Sequence, residues 1–175
     1  FLKEYKKYFL LNPLLSKDAK VNKILDYLDR EVIPDKLICV KFSGSLSEEF
    51  ADGLTRDFPM TRLILADKET FPLDTLPESV VRALKDEKDS YAEEYYALRL
   101  LCREGGIVLF PDMKANLRLK KLRMNEIFFG FENDEELTCR CFGALKEHYV
   151  IQALLDTYEE DNIYNKALLP LSERV

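Results

Sequence analysis

Asp112 closes the stretch Gly105-Gly106-Ile107-Val108-Leu109-Phe110-Pro111-Asp112, in which a glycine pair ends a helix, a short apolar run follows, and one carboxylate is delivered at its far end. A strand edge of that kind can hold a metal ion and a phosphate, since hard divalent cations take oxygen ligands and bridge phosphate oxygens. Without further context Asp112 also reads as a turn residue after Pro111. Glu94 sits on the helix that precedes the glycines, where an acid in the first turn is favoured by the helix dipole as well. A second turn of interest is Ser43-Gly44-Ser45-Leu46-Ser47, placed between an apolar strand and a helix bearing Leu46, Phe50 and Leu54. Open parallel sheets bind ligands at such turns because backbone N–H groups and a helix N-terminus face the crevice. A plain strand-to-helix connection has the same pattern.

The elements that must position these residues are legible along the chain. Ser90-Tyr91-Ala92-Glu93 has the pattern of a capping box, and Ala92, Tyr95, Tyr96, Leu98, Leu101 and Cys102 keep a helical period for about three turns. Gly105 suits the left-handed residue that ends many helices. Strands are expected over Pro34 to Phe42 and over 61 to 66. A proline-bearing link, Phe71 to Pro77, leads to a short helix reaching about Lys85. The run Lys114 to Arg123 alternates basic and apolar residues, which predicts a strand or turn with one solvated face, or a rim that attracts an anionic substrate or lipid headgroup. His148 opens a helix carrying Val150, Ile151, Leu154 and Leu155, a place for a capping or surface histidine. Alternating strands and helices predict an α/β sandwich with a mainly parallel sheet.

The glycine-pair unit resembles the sugar-nucleotide-binding core of the DXD-type glycosyltransferases, the capsular-polysaccharide and fungal mannosyltransferase family (family 32-like) and, more distantly, the glucosylating bacterial toxins. There the pattern runs S-D-Y-A-R, helix, G-G-I-Y, then L-D-x-D. Here Asp112 keeps the second aspartate, Phe110 replaces the first, Glu94 replaces the helix aspartate, and the arginine falls on Ala97, with Arg99 two residues on. Pro34 to Phe42 is similar to the family's opening strand, with Cys39 for its histidine and Phe42 for its tryptophan. Arg62 to Glu69 is similar to its second strand and W-N-x-D turn, keeping Asp67 and Glu69. Phe129-Gly130-Phe131-Glu132-Asn133 is close to a G-F-E-N segment, and Gly143-Ala144 with His148 matches a G-A-x-x-G-H-P element more loosely.

The resemblance implies a GT-A-like domain over 34–175 that transfers a sugar from a UDP- or GDP-sugar to a glycan or other hydroxyl acceptor, protein included. It implies Asp112 and Glu94 as catalytic acids, Asp112 as a ligand of Mn²⁺ or Mg²⁺ held weakly and together with the donor, and Asp67, Gly105 and Gly106 as donor contacts, to which the turn after the first strand adds Ser43 and Gly44. The losses fall at polar or stacking positions while the apolar framework persists. A catalytically degenerate copy, serving in binding or scaffolding within a multidomain polysaccharide-synthesis protein, is therefore the alternative.

Composition sets outer limits. At 175 residues and 47% apolar content the chain can bury one core of ordinary size. A formal charge of -6 argues against a nucleic-acid groove, which needs a cationic face. No phosphate-binding glycine signature of the P-loop or dinucleotide type is present. Cys39, Cys102, Cys139 and Cys141 lack metal or redox spacing and read as free thiols, which suits a cytoplasmic setting, including the inner face of a membrane. No apolar run reaches the length of a membrane span. Residues 1–33 read as two helices broken at Asn12-Pro13, a helical extension or the end of a preceding domain, and the whole reads as a piece of a longer protein.

Overall fold

Lys36–Val40 forms the central strand β1, and its near-continuous apolar run is what a parallel strand covered on both faces requires. Side chains alternate across it. Ile38 and Val40 enter one core with Val108, Leu98 and Leu101, while Leu37 and Cys39 enter the other with Ile107, Leu109, Leu54 and Phe58. The computed structural model describes residues 32–44, 46–72, 75–113, 119–131, 137–163 and 171. Contacts divide the chain into Phe1–Glu31 and Val32–Val175, and the fold below is that of the second unit. The two helices expected before residue 33 fall outside the described residues.

β1 is flanked by two parallel partners, β2 (Arg62–Ala66) and β3 (Gly106–Leu109). β3 pairs antiparallel with β5 (Leu137–Ala144), and β4 (Ile127–Phe131) pairs antiparallel with β5 at the far edge. The order is β2-β1-β3-β5-β4, a five-stranded sheet with a parallel core. Helix α1 (Glu48–Asp57) supplies Leu54 to one face, and Ser47 caps it by accepting from the Phe50 N–H at 3.2 Å. The opposite face carries α2 (Glu78–Lys85), α3 (Asp89–Glu104) and α5 (Tyr149–Ile163), while the single-turn α4 (Leu119–Leu122), between β3 and β4 in the chain, packs Leu119 on the α1 face. The part of the basic run that is described, from Leu119, is therefore helical rather than extended. Arg123 beyond it is tied to Asp35 at 3.1 Å and to the Ile33 carbonyl at 2.8 Å.

Helix α3 is the spine of the fold. Tyr91, Ala92, Tyr95, Tyr96, Leu98 and Leu101 are buried, and Tyr158 of α5 packs on the rings of Tyr91 and Tyr95 at 5.0 and 5.3 Å. The helix begins at Asp89, one residue before the expected cap, with no side-chain bond at Lys88, the preceding residue. Ser90 thus lies within the first turn, and Glu93 reaches across to the end of β1 instead of back to its own backbone. The capping box is not formed. His148 does cap α5, its Nδ1 accepting from the Val150 N–H at 3.3 Å.

The end of α3 is fastened by Lys36, whose Nζ donates to the Glu104 carbonyl at 2.9 Å and carboxylate at 2.8 Å. This ammonium holds the Glu104 carboxyl below the usual glutamate range. Because the folded state lowers that pKa, the contribution is complete above the ordinary glutamate range and is lost as pH falls through the folded value. Lys36→Met is expected to lower stability at pH 7, with the gap to wild type narrowing at pH 3 in chemical denaturation. A gap of equal size at both values would contradict the linkage.

Candidate functional site

Three chain segments meet at the C-terminal edge of the parallel strands. β1 leads into Lys41, Phe42 and Ser43, and β3 leads into Phe110, Pro111 and Asp112. β5 brings Arg140 alongside, fixed by the Phe110 N–H donating to the Arg140 carbonyl at 3.0 Å. The first turns of α3 approach the same edge and contribute Glu93. Together Lys41, Ser43, Glu93, Phe110, Pro111, Asp112 and Arg140 line a cleft of about 320 Å³. That volume lies at the small end of ligand-sized pockets, roughly 300–1,000 Å³.

The polar groups of the cleft are already arranged. The Glu93 carboxylate accepts from the backbone N–H of Phe42 and, at 3.4 Å, from that of Ser43, so it braces the turn after β1. Asp112 Oδ2 stands 3.3 Å from an Arg140 nitrogen, both side chains being about half exposed. The guanidinium carbon of Arg140 lies 5.7 Å from the centre of the Phe110 ring. Phe110 itself is only 4% exposed; it belongs to the core and borders the cleft. The cleft is thus floored by an aromatic ring and left open above it.

No protein-family profile matches the sequence, and no curated protein matches it. Among solved structures the chain is similar to one named PaToxG Glycosyltransferase, with a TM-score of 0.54 and 14% identity over 86% of this chain and 71% of that one. The fold is glycosyltransferase-like. At this identity the likeness concerns architecture: a five-stranded sheet, parallel at its core, between layers of helices. Among the described residues no helix is long and apolar enough to cross a membrane.

Within this glycosyltransferase-like fold the expected site residues separate. Asp112 and Ser43 line the cleft. Gly44 lies in the exposed turn next to Ser43, outside the lining. Glu94 is turned elsewhere: its Oε2 accepts from the Leu171 N–H at 2.9 Å, and its neighbour Glu93 supplies the cleft carboxylate. Asp67 follows β2 and accepts from the N–H groups of Thr70 at 2.9 Å and Glu69 at 3.0 Å. Those bonds, Thr70 first, hold its carboxyl below the usual range and fasten a local turn. Tyr96 pins that turn by donating to the Thr70 carbonyl at 2.7 Å, and Arg99 donates to Thr75 Oγ1 at 2.8 Å.

Gly105 and Gly106 lie at the opposite end of β3 from the cleft. Gly105 has positive φ but an extended ψ of 165°, so it leaves the helix without the left-handed turn. A Cβ on Gly106, which has φ +132°, would stand 2.8 Å from the Lys36 carbonyl oxygen. Gly106 lets β3 run against β1, and a Cβ on Gly105 would stand 2.8 Å from the Lys146 backbone nitrogen, so both positions serve close packing. Gly106→Ala is expected to cost about 1–3 kcal/mol of stability by forcing a non-glycine residue into that region, read from the denaturation midpoint. A midpoint equal to wild type would contradict the close approach.

The donor set fits a dedicated metal centre poorly. Asp112 is paired with a guanidinium, the Glu93 carboxylate is used by backbone N–H groups, and among the described residues there is no group of three or more His, Cys, Asp or Glu able to hold an ion. Mg²⁺ wants near-octahedral oxygen ligation, and an adjacent fixed cation opposes it. Phe42 and Cys39 stand where the resembled family has a tryptophan and a histidine. Phe42 packs on Phe71 at 5.0 Å, and Cys39 is fully buried, its thiol pushed up to about 12 by burial, so both serve the core.

Sequence reading missed Lys41 and Arg140. Lys41 follows the β1 run directly. Arg140, between Cys139 and Cys141, is the one charged residue of the β5 run; its position opposite Asp112 depends on the β3–β5 register, in which Leu109 faces Cys141.

Proposed function

We propose that this domain binds a UDP- or GDP-linked sugar in the cleft at the C-terminal edge of β1 and β3 and transfers the sugar to a hydroxyl of a glycan or protein acceptor. The observation that carries the reading is the convergence of Lys41, Ser43, Glu93, Asp112 and Arg140 on one cleft at the sheet edge. Ligands bind at that edge of open α/β sheets, and the glycosyltransferase-like fold supports the reaction class. Aromatic floor, charged walls and an open mouth suit a nucleotide with a sugar beyond its diphosphate. Asp112 is the carboxylate positioned to accept the proton of the attacking hydroxyl, because Glu93 is engaged by the turn after β1. No step of this reading passes through a metal ion.

Saturation-transfer NMR with a panel of UDP- and GDP-sugars tests the binding half. At least one donor is expected to give signal transfer that unlabelled nucleotide competes away; silence across the panel would refute it. Nucleotide release in the presence of glycan acceptors tests the transfer half. The alternative of a binding or scaffolding module is favoured by one observation, the commitment of Phe110 to the core where the resembled motif has an acid. Donor binding without release of nucleotide on any acceptor would decide for it.

A further inference from the structure

Resting on the nucleotide-diphosphate reading above, the geometry points to a cleft that neutralises its ligand's diphosphate with two protein cations, Lys41 and Arg140, and without a divalent ion. Four charged side chains line the cleft: Lys41, Arg140, Asp112 and Glu93. Glu93 faces the Phe42 and Ser43 N–H groups. Asp112 faces Arg140. Among the described residues Lys41 has no ion-pair partner, and it is a half-buried residue of the cleft lining where β1 ends.

A cation bound to Asp112 would have to sit beside the Arg140 guanidinium, 3.3 Å from the same carboxylate. A phosphate needs no such compromise. Guanidinium presents five donors in a rigid fork that matches phosphate oxygens, and it can hold a carboxylate and a phosphate through different edges. The Phe110 ring beneath and the Asp112 carboxylate beside it limit the conformations Arg140 can take, so little ordering remains to be done on binding. Asp112 competes with phosphate for Arg140.

Calorimetric titration of UDP and GDP into the chain, in EDTA and in Mn²⁺, tests this directly. Affinity is expected to agree within about twofold between the two buffers. Lys41→Gln and Arg140→Gln are each expected to weaken binding tenfold or more. Asp112→Asn is expected to tighten it about threefold, since it removes a charge that competes for Arg140. Thermal melts of each variant check that the fold is retained, as Arg140 and Asp112 are half exposed. If binding requires Mn²⁺ and Asp112→Asn abolishes it, the cleft is a metal site; this inference falls and the sugar-nucleotide reading stands. If nucleotide binds in EDTA but neither lysine nor arginine variant weakens it, the inference falls in the same way. If neither nucleotide binds in either buffer, both fall together.

Discussion

Asp112→Asn is expected to lower the rate of sugar transfer by about 10²–10⁴-fold, the usual contribution of a positioned general base. Asparagine keeps the size of the side chain and an oxygen for Arg140 while removing the ability to take up a proton. Asp112 is suited to that role by geometry. It follows the buried strand β3, lines the cleft and keeps about half its side-chain surface open to a second substrate. The fall should appear in kcat with KM for the donor unchanged or lower, because the substitution leaves the cationic groups of the cleft in place. A variant with wild-type kcat would remove Asp112 from the chemical step.

Phe110→Asp is expected to destabilise the fold by about 3–5 kcal/mol or more, the range for deleting a buried phenylalanine, with the desolvation of a carboxylate added. The substitution would recreate the paired acids of the resembled motif, and for that reason it separates two accounts of the site. Phe110 is 4% exposed and packed in the core that contains Phe42, Val108 and Phe142. Its ring also lies beneath the Arg140 guanidinium. An acid at this position would lose the packing and disturb the arginine together. Urea denaturation gives the expected loss. A variant within 1 kcal/mol of wild type that gained Mn²⁺ affinity would show that position 110 opens into a dormant metal centre.

How much of this was readable without coordinates depended on the range of the interaction involved. Strands β1 and β3 are visible as apolar runs because central parallel strands are buried on both faces, and α3 is visible because its core-facing positions recur with a helical period. Asp112 follows directly from the end of β3. The choice between Glu93 and Glu94 could not be made locally: adjacent residues on a helix point about 100° apart, and only the packing of α3 on the sheet shows which one faces the cleft. The Ser90-to-Glu93 pattern suggested a local use for Glu93, whereas its actual partners lie 51 and 50 residues away. Arg140 was hidden for a similar reason, since its place opposite Asp112 comes from antiparallel pairing across a long connection. The glycine pair misled in another way. The resemblance places Gly105 and Gly106 among the donor contacts, but they occupy the N-terminal end of β3, where close approach of Pro34, Lys36 and Lys146 leaves no room for a side chain.

The claim on which the account turns is that the nucleotide enters at the far end of β3, away from its glycines. Backbone amide shift mapping of the ¹⁵N-labelled chain during titration with UDP and GDP measures this most directly. Perturbations are expected at Lys41, Phe42, Ser43, Phe110, Asp112 and Arg140, with Lys36, Gly105 and Gly106 unmoved. Shifts gathered on the Gly105–Gly106 edge, or no shifts with either nucleotide, would contradict it.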